Sequence, residues 1–232
     1  MQSQSIVKPI TKQVIGLLGG TFNPIHFGHL RMAQELAESL NLDEVRFIPS
    51  ASPPHKLTPL VSAEQRAAMV QLAIANNPLF RFDGRELHRM ASNNMPSYTI
   101  DTLQSLRNEL GENISLVLFM GSDAFSKFNT WHRWDEIISL CHIALVHRPL
   151  LSIKEPLSKV LEAFLQMHYT ENVNDLHEAT AGYITMQPIT LLDISSTVIR
   201  NKLQKEQSMY YLTPDCVINY IESNALYHSM TQ

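Results

Sequence analysis

Only two of the 232 residues are cysteine, Cys141 and Cys216, and they lie far apart in the chain. That excludes a disulfide framework and fits a reducing compartment, so a cytoplasmic location is the expectation. Basic residues are not in excess: 18 Lys and Arg stand against 22 Asp and Glu, a net charge of -4. A general nucleic-acid binder carries a basic surface, so nucleic acid is not an expected partner. Any phosphate bound here must be held by a few local groups. Long apolar runs are missing too. No stretch approaches transmembrane length, so no membrane partner is expected. Residues 1–13 are polar and lack the apolar core of a signal peptide. Internal repeats and low-complexity tracts are absent. What remains is ordinary for a globular chain, with 44% apolar and 17% charged residues,. The length suits one α/β domain over 1–232, with a polar tail at 1–13.

Short apolar runs alternate with helical patterns. Strands are expected at 14–18, 44–49, 79–82, 114–120, 143–146 and 183–186. Ser62 with Gln65 reads as a capping box that opens a helix. Its apolar face is expected to run through Ala67, Met69, Val70, Leu72, Ala73 and Ile74. Further helices are expected from Ser97-Tyr98-Thr99 to Gly111, near 157–167, from Ile194-Ser195-Ser196-Thr197, and from Thr213-Pro214, with Thr213 as cap and proline in the first turn. Residues 84–96 read as a polar, irregular loop, and 150–181 as a less assignable excursion. Strand–helix alternation implies a doubly wound parallel sheet, whose ligands bind beyond the carboxyl ends of the strands.

The densest motif runs from Gly19 to Leu30, Gly-Gly-Thr-Phe-Asn-Pro-Ile-His-Phe-Gly-His-Leu. It lies between the first strand and a helix whose apolar spacing is clear over Met32–Leu40. Gly19 and Gly20 would let the backbone turn tightly and approach a ligand. Free N–H groups at the helix start make an anion site. His26 and His29 are three apart and can face it together, and Gly28 removes a side chain that would crowd the ligand. A zinc site on the same His-x-x-His spacing lacks a third ligand nearby in sequence, so no metal ligands are assigned. A second motif, Ile194-Ser195-Ser196-Thr197-Val198-Ile199-Arg200, places hydroxyls and N–H groups at a helix start, with an arginine one turn on. Alone it would also read as a capped helix with a surface arginine.

The first motif resembles the Gly-Gly-x-Phe-(Asp/Asn)-Pro-x-His-x-Gly-His signature of the nucleotidyltransferase superfamily. The second resembles the serine-threonine-arginine motif of its adenylyltransferases. Pro53-Pro54-His55-Lys56, Pro96-Ser97-Tyr98-Thr99, Gly121-Ser122-Asp123, Thr130-Trp131 and Arg148-Pro149 follow in an order similar to the bacterial nicotinate-nucleotide adenylyltransferases. That resemblance covers most of 14–149 and 183–222. It implies a Rossmann-like fold and transfer of AMP from ATP to nicotinate mononucleotide, with pyrophosphate released.

The resemblance also implies roles. His26, His29 and Arg200 would be catalytic. Gly19, Gly20, Thr21, Phe22, Gly28, Gly121, Asp123, Ile194, Ser195, Ser196 and Thr197 would bind ATP, with Asp123 on the ribose hydroxyls. Lys56 and Arg148 would hold the mononucleotide phosphate. His55, Tyr98 and Thr99 would line the acceptor site, and Trp131 would stack on the pyridine ring. Trp131 also reads as a core aromatic, Asp123 as a helix cap and His55 as a solvated loop residue. Mg2+ would arrive with ATP, keeping waters and bridging phosphates without a protein cage. Within the superfamily the rival is a pantetheine-phosphate or cytidylyl transferase. From another class it is a regulatory module that binds nucleotide without turnover.

Overall fold

The computed structural model describes residues 12–51, 61–93, 98–147, 157–190 and 192–227. Its strands are β1 (Val14–Gly20), β2 (Glu44–Pro49), β3 (Phe80–Phe82), β4 (Ser115–Gly121), β5 (His142–His147) and β6 (Ile184–Pro188). They form one parallel six-stranded sheet in the order β3-β2-β1-β4-β5-β6. The winding direction reverses between β1 and β4, which places the crevice of a doubly wound sheet at their carboxyl ends. The expected fold class is the observed one.

Both faces of the sheet are covered, and the strand pleat explains how. Alternate residues point to opposite sides. Val14 and Leu18 of β1, Val117 and Phe119 of β4, and Ala144 and Val146 of β5 enter one core. Ile15, Leu17, Leu116, Leu118, Ile143 and Leu145 enter the other. The first core packs against α1 (Phe27–Ser39), α2 (Ala63–Ile74), α8 (Asp175–Glu178), α9 (Ser196–Gln204) and α10 (Asp215–Ser223). The second packs against α4 (Thr99–Leu110), α5 (Ser122–Phe125), α6 (Trp134–Leu140) and α7 (Lys159–His168). Gly16 belongs to the first face. A Cβ there would come within 2.4 Å of the Phe119 ring, so the neighbouring strand fills the space a side chain would need.

Several details go beyond the sequence reading or differ from it. Residues 85–93 are a helix, α3 (Arg85–Asn93), not an irregular loop. Its inward side is polar: Glu86 is buried and receives the Thr102 hydroxyl hydrogen at 2.8 Å, and Arg89 donates to the same hydroxyl oxygen at 2.6 Å. Apolar periodicity cannot register such a face. Helix α1 starts at Phe27 and takes in the second half of the glycine-histidine motif. Thr213 does not cap α10; Pro214 holds the cap position, and the buried Thr213 hydroxyl donates to the Ile25 carbonyl at 2.7 Å. The capping box at Ser62 is present in both directions, at 3.2 and 3.0 Å. Leu72, expected on the buried face of α2, is 40% exposed.

Candidate active site

The site is built around the segment joining β1 to α1. Gly19 and Gly20 are the last residues of β1, not a turn, and neither has positive φ. The left-handed residue is Phe22, at φ 46°. Its ring is buried edge-on to His29, with centroids 5.1 Å apart. A Cβ at Gly20 would stand 3.0 Å from that ring, so this glycine makes room for the phenylalanine of the motif. At Gly19 a Cβ would meet nothing within 4 Å, so the chain's own atoms leave space there.

Carbonyls along residues 21–25 are held by side chains from distant elements. Arg66 of α2 donates to the Thr21 carbonyl at 2.6 Å, and Arg200 of α9 to that of Asn23 at 2.8 Å. Ser196 reaches the Pro24 carbonyl at 2.8 Å, and Thr213 the Ile25 carbonyl. The Tyr227 hydroxyl donates to Asn23 Oδ1 at 2.7 Å. The segment is thus fixed without regular structure of its own, as a preorganised site requires.

His26 occupies the N-cap of α1 and is 6% exposed. Burial pulls its imidazole down from 6.5 to about 4, so it is neutral at pH 7,. Its Nδ1 is buried without a hydrogen-bond partner among the described residues. His29 stacks against it, with centroids 3.7 Å apart and planes at 27°. Nδ1 of His29 accepts the His26 backbone N–H at 3.3 Å, which puts the neutral ring's hydrogen on Nε2,. A Cβ at Gly28 would meet His26 Nδ1 at 3.0 Å. Gly28 therefore makes space for the His26 ring, a more local task than clearing room for a ligand.

Ser195 caps α9, its hydroxyl oxygen accepting from the Val198 N–H at 3.2 Å. Ser196 spends its hydroxyl hydrogen on Pro24. Thr197 is exposed and receives the second arm of Arg200 at 3.2 Å. Arg200 is therefore a bridge between the two motifs, and not a surface arginine. Ile194 packs against the first core. Gly121 ends β4, the strand paired with β1, so it lies at the same edge as Gly20. Asp123 is exposed on α5 and is not its cap, which is Gly121.

Comparison with known proteins gives the family. The model of the cytidylyltransferase-like family matches residues 17–202. The probable nicotinate-nucleotide adenylyltransferase of Dechloromonas aromatica is 45% identical over 216 residues, covering 93% of this chain and 98% of that protein. Its namesake from Hydrogenovibrio crunogenus is 43% identical, covering 94% and 99%. The chain belongs to the cytidylyltransferase-like family, and within it to the family of the nicotinate-nucleotide adenylyltransferases. A nicotinic acid mononucleotide adenylyltransferase of Plasmodium falciparum, solved in complex with NaAD, has the same fold at a TM-score of 0.68. It is 18% identical, with 93% of this chain and 97% of that one covered.

His55, Lys56 and Arg148 lie outside the described residues. Tyr98 is the N-cap of α4 and gives no side-chain cap, so the first-turn N–H groups beginning at Thr99 are not satisfied by it. The Tyr98 ring lies 4.7 Å from that of His132, the neighbour of Trp131. Trp131 is half-buried, edge-on to Phe128 at 5.5 Å. Asp101, the third residue of α4, faces Arg89 at 3.9 Å. Among the described residues no cluster of three His, Cys, Asp or Glu could hold a metal ion.

Sequence reading missed Arg66, Thr213 and Tyr227. Arg66 had a signal: it stands three and four residues before Met69 and Val70, inside the apolar stripe of α2. A charge there is either misplaced or employed.

Proposed function

We propose that the chain transfers the adenylyl group of ATP to nicotinate mononucleotide, giving deamido-NAD and pyrophosphate. The observation that carries this reading is the convergence of the two motifs. Arg200 and Ser196 of the late helix close onto Asn23 and Pro24 of the early segment, at the reversal point of the sheet. The curated relatives, matched over nearly their whole length, support the same reaction.

The chemistry needs no protein nucleophile. A phosphate oxygen of the mononucleotide attacks the α-phosphorus of ATP. The bond from that phosphorus to the bridging oxygen breaks, and pyrophosphate leaves with the electron pair. The protein aligns the two phosphates and neutralises the charge that develops. His29 donates from Nε2 to an α-phosphate oxygen, with the neutral His26 ring stacked behind it. Arg200 and the helix start at Ser195–Thr197 take the leaving phosphates. Asp123 receives the ribose hydroxyls beyond β4. Trp131 stacks on the pyridine, Thr99 with the α4 N–H groups meets the carboxylate, and Tyr98 lines the acceptor site; by residue type Lys56, His55 and Arg148 are assigned to the same acceptor. Mg2+ would arrive with ATP as part of the substrate and would help neutralise the charge of its phosphates.

The test is pyrophosphate release by purified protein with ATP or CTP, each paired with nicotinate or nicotinamide mononucleotide. Release with ATP and not CTP is expected, with the nicotinate acceptor preferred over the nicotinamide one. Release with CTP alone, or none with any pair, would overturn the reading.

A further inference from the structure

We propose that Arg66 is a positioning residue for adenylyl transfer: by holding the Thr21 carbonyl inside the protein, it aims the Phe22 N–H at a phosphate of bound ATP. The inference rests on the reading of Thr21 and Phe22 as part of the ATP site.

Arg66 is 1% exposed. Its guanidinium donates to the Thr21 carbonyl at 2.6 Å and the Ala51 carbonyl at 3.2 Å. Both acceptors are backbone groups, one after β1 and one after β2. The Nε hydrogen has no partner among the described residues. A carboxylate would neutralise a buried cation more directly, and carbonyls leave its charge standing beneath the segment.

The geometry of the peptide group does the rest. The Thr21–Phe22 peptide is trans, so its C=O and N–H point in opposite directions,. Drawing the Thr21 oxygen inward to Arg66 turns the Phe22 N–H outward, beyond the carboxyl end of β1. Among the described residues no group accepts from that N–H. An outward donor backed by a buried positive charge suits a phosphate oxygen. Phe22 carries the positive φ that this orientation uses, and its ring is locked against His29 and Phe47.

The test uses the full chain as parent, Arg66→Met and Arg66→Lys. In 15N-labelled parent, saturating α,β-methylene-ATP shifts the Phe22 amide proton downfield. In Arg66→Met that shift falls to less than half, KM for ATP rises about tenfold or more, and KM for nicotinate mononucleotide stays within twofold. Arg66→Lys keeps a charge and one donor, so it falls between the two and serves if the methionine variant does not fold. A purely structural role would lower the melting temperature and leave the Phe22 shift and the ATP KM within twofold; that result overturns the proposal. So does a parent that turns over ATP with an unresponsive Phe22 amide. A parent that neither binds nor turns over ATP overturns the reading of the site itself.

Discussion

At the scale of single residues, the two histidines have separable tasks. His29 accepts the His26 backbone N–H through Nδ1, which leaves its ring hydrogen on Nε2, the proposed donor to phosphate. His29→Ala removes both, while His29→Asn can still accept at the helix start and cannot reach as Nε2 does. Loss of one donor to developing charge typically costs about 2.7–4 kcal/mol of barrier. Turnover should therefore fall about 100- to 1000-fold in both variants, with asparagine recovering stability only. Equal turnover in parent and asparagine variant would remove His29 from the chemistry. Gly28→Ala tests the ring behind it. The added Cβ would stand 3.0 Å from His26 Nδ1 and 3.5 Å from the Ile194 carbonyl, so the ring must shift. A turnover drop of about tenfold is expected, with acceptor KM unchanged. These positions were legible in the sequence because residue type and spacing carry them. Tyr227 was not, and Arg66 showed only as a charge within an apolar stripe, because their partners are backbone and side-chain oxygens far away in the chain, and spacing says nothing of those.

Among elements, α4 is the one proposed to select the acceptor. Its first-turn N–H groups, uncapped by Tyr98, favour a carboxylate, which only accepts hydrogen bonds,. An amide must donate two, and the one acid of that turn, Asp101, faces Arg89. Arg89 in turn is placed by Thr102 and Glu86 of the polar α3–α4 seam. The parent should prefer nicotinate over nicotinamide mononucleotide by about tenfold or more in kcat/KM. Arg89→Ala releases Asp101 to accept from an amide, so the ratio should narrow severalfold; a ratio unchanged from the parent would detach α3 from specificity. The helix carrying Arg89 is the one that sequence reading took for a loop. Strands and the amphipathic helix α4 were legible because burial leaves an apolar period, and α2 was legible by its capping box. α3 was not, since its buried side is made of charge and hydroxyl. The same limit applies to α9: its cap was legible, but the bridge from Arg200 to Asn23 was not.

The whole molecule places a buried neutral histidine at each end of the sheet. His26 lies at the carboxyl end, inside the site. His142 opens β5 at the opposite end, fully buried, its Nδ1 accepting from the Tyr183 N–H at 3.1 Å and its Nε2 3.3 Å from the Ala179 carbonyl. Burial pulls both rings from 6.5 down to about 4. In the unfolded chain each titrates near 6.5, so between about pH 6.5 and 4 the unfolded state binds protons that the folded state refuses. The stability conferred by keeping these rings neutral is thus complete above about pH 6.5 and is lost as pH falls toward 4. At roughly 1.4 kcal/mol per pH unit, each histidine accounts for a loss on the order of 3 kcal/mol across that window. His142→Asn keeps an acceptor for the Tyr183 N–H and has no proton to take up. Its stability will be lower at neutral pH, where the contact with Ala179 is missed, but its slope between pH 6.5 and 5 should be about half that of the parent. Because His142 is remote from the β1–α1 segment, the variant should keep the parent's KM for ATP over the same range. Urea unfolding at half-unit steps of pH measures both slopes, and parallel curves for parent and variant would mean that His142 titrates alike in the folded and unfolded chain.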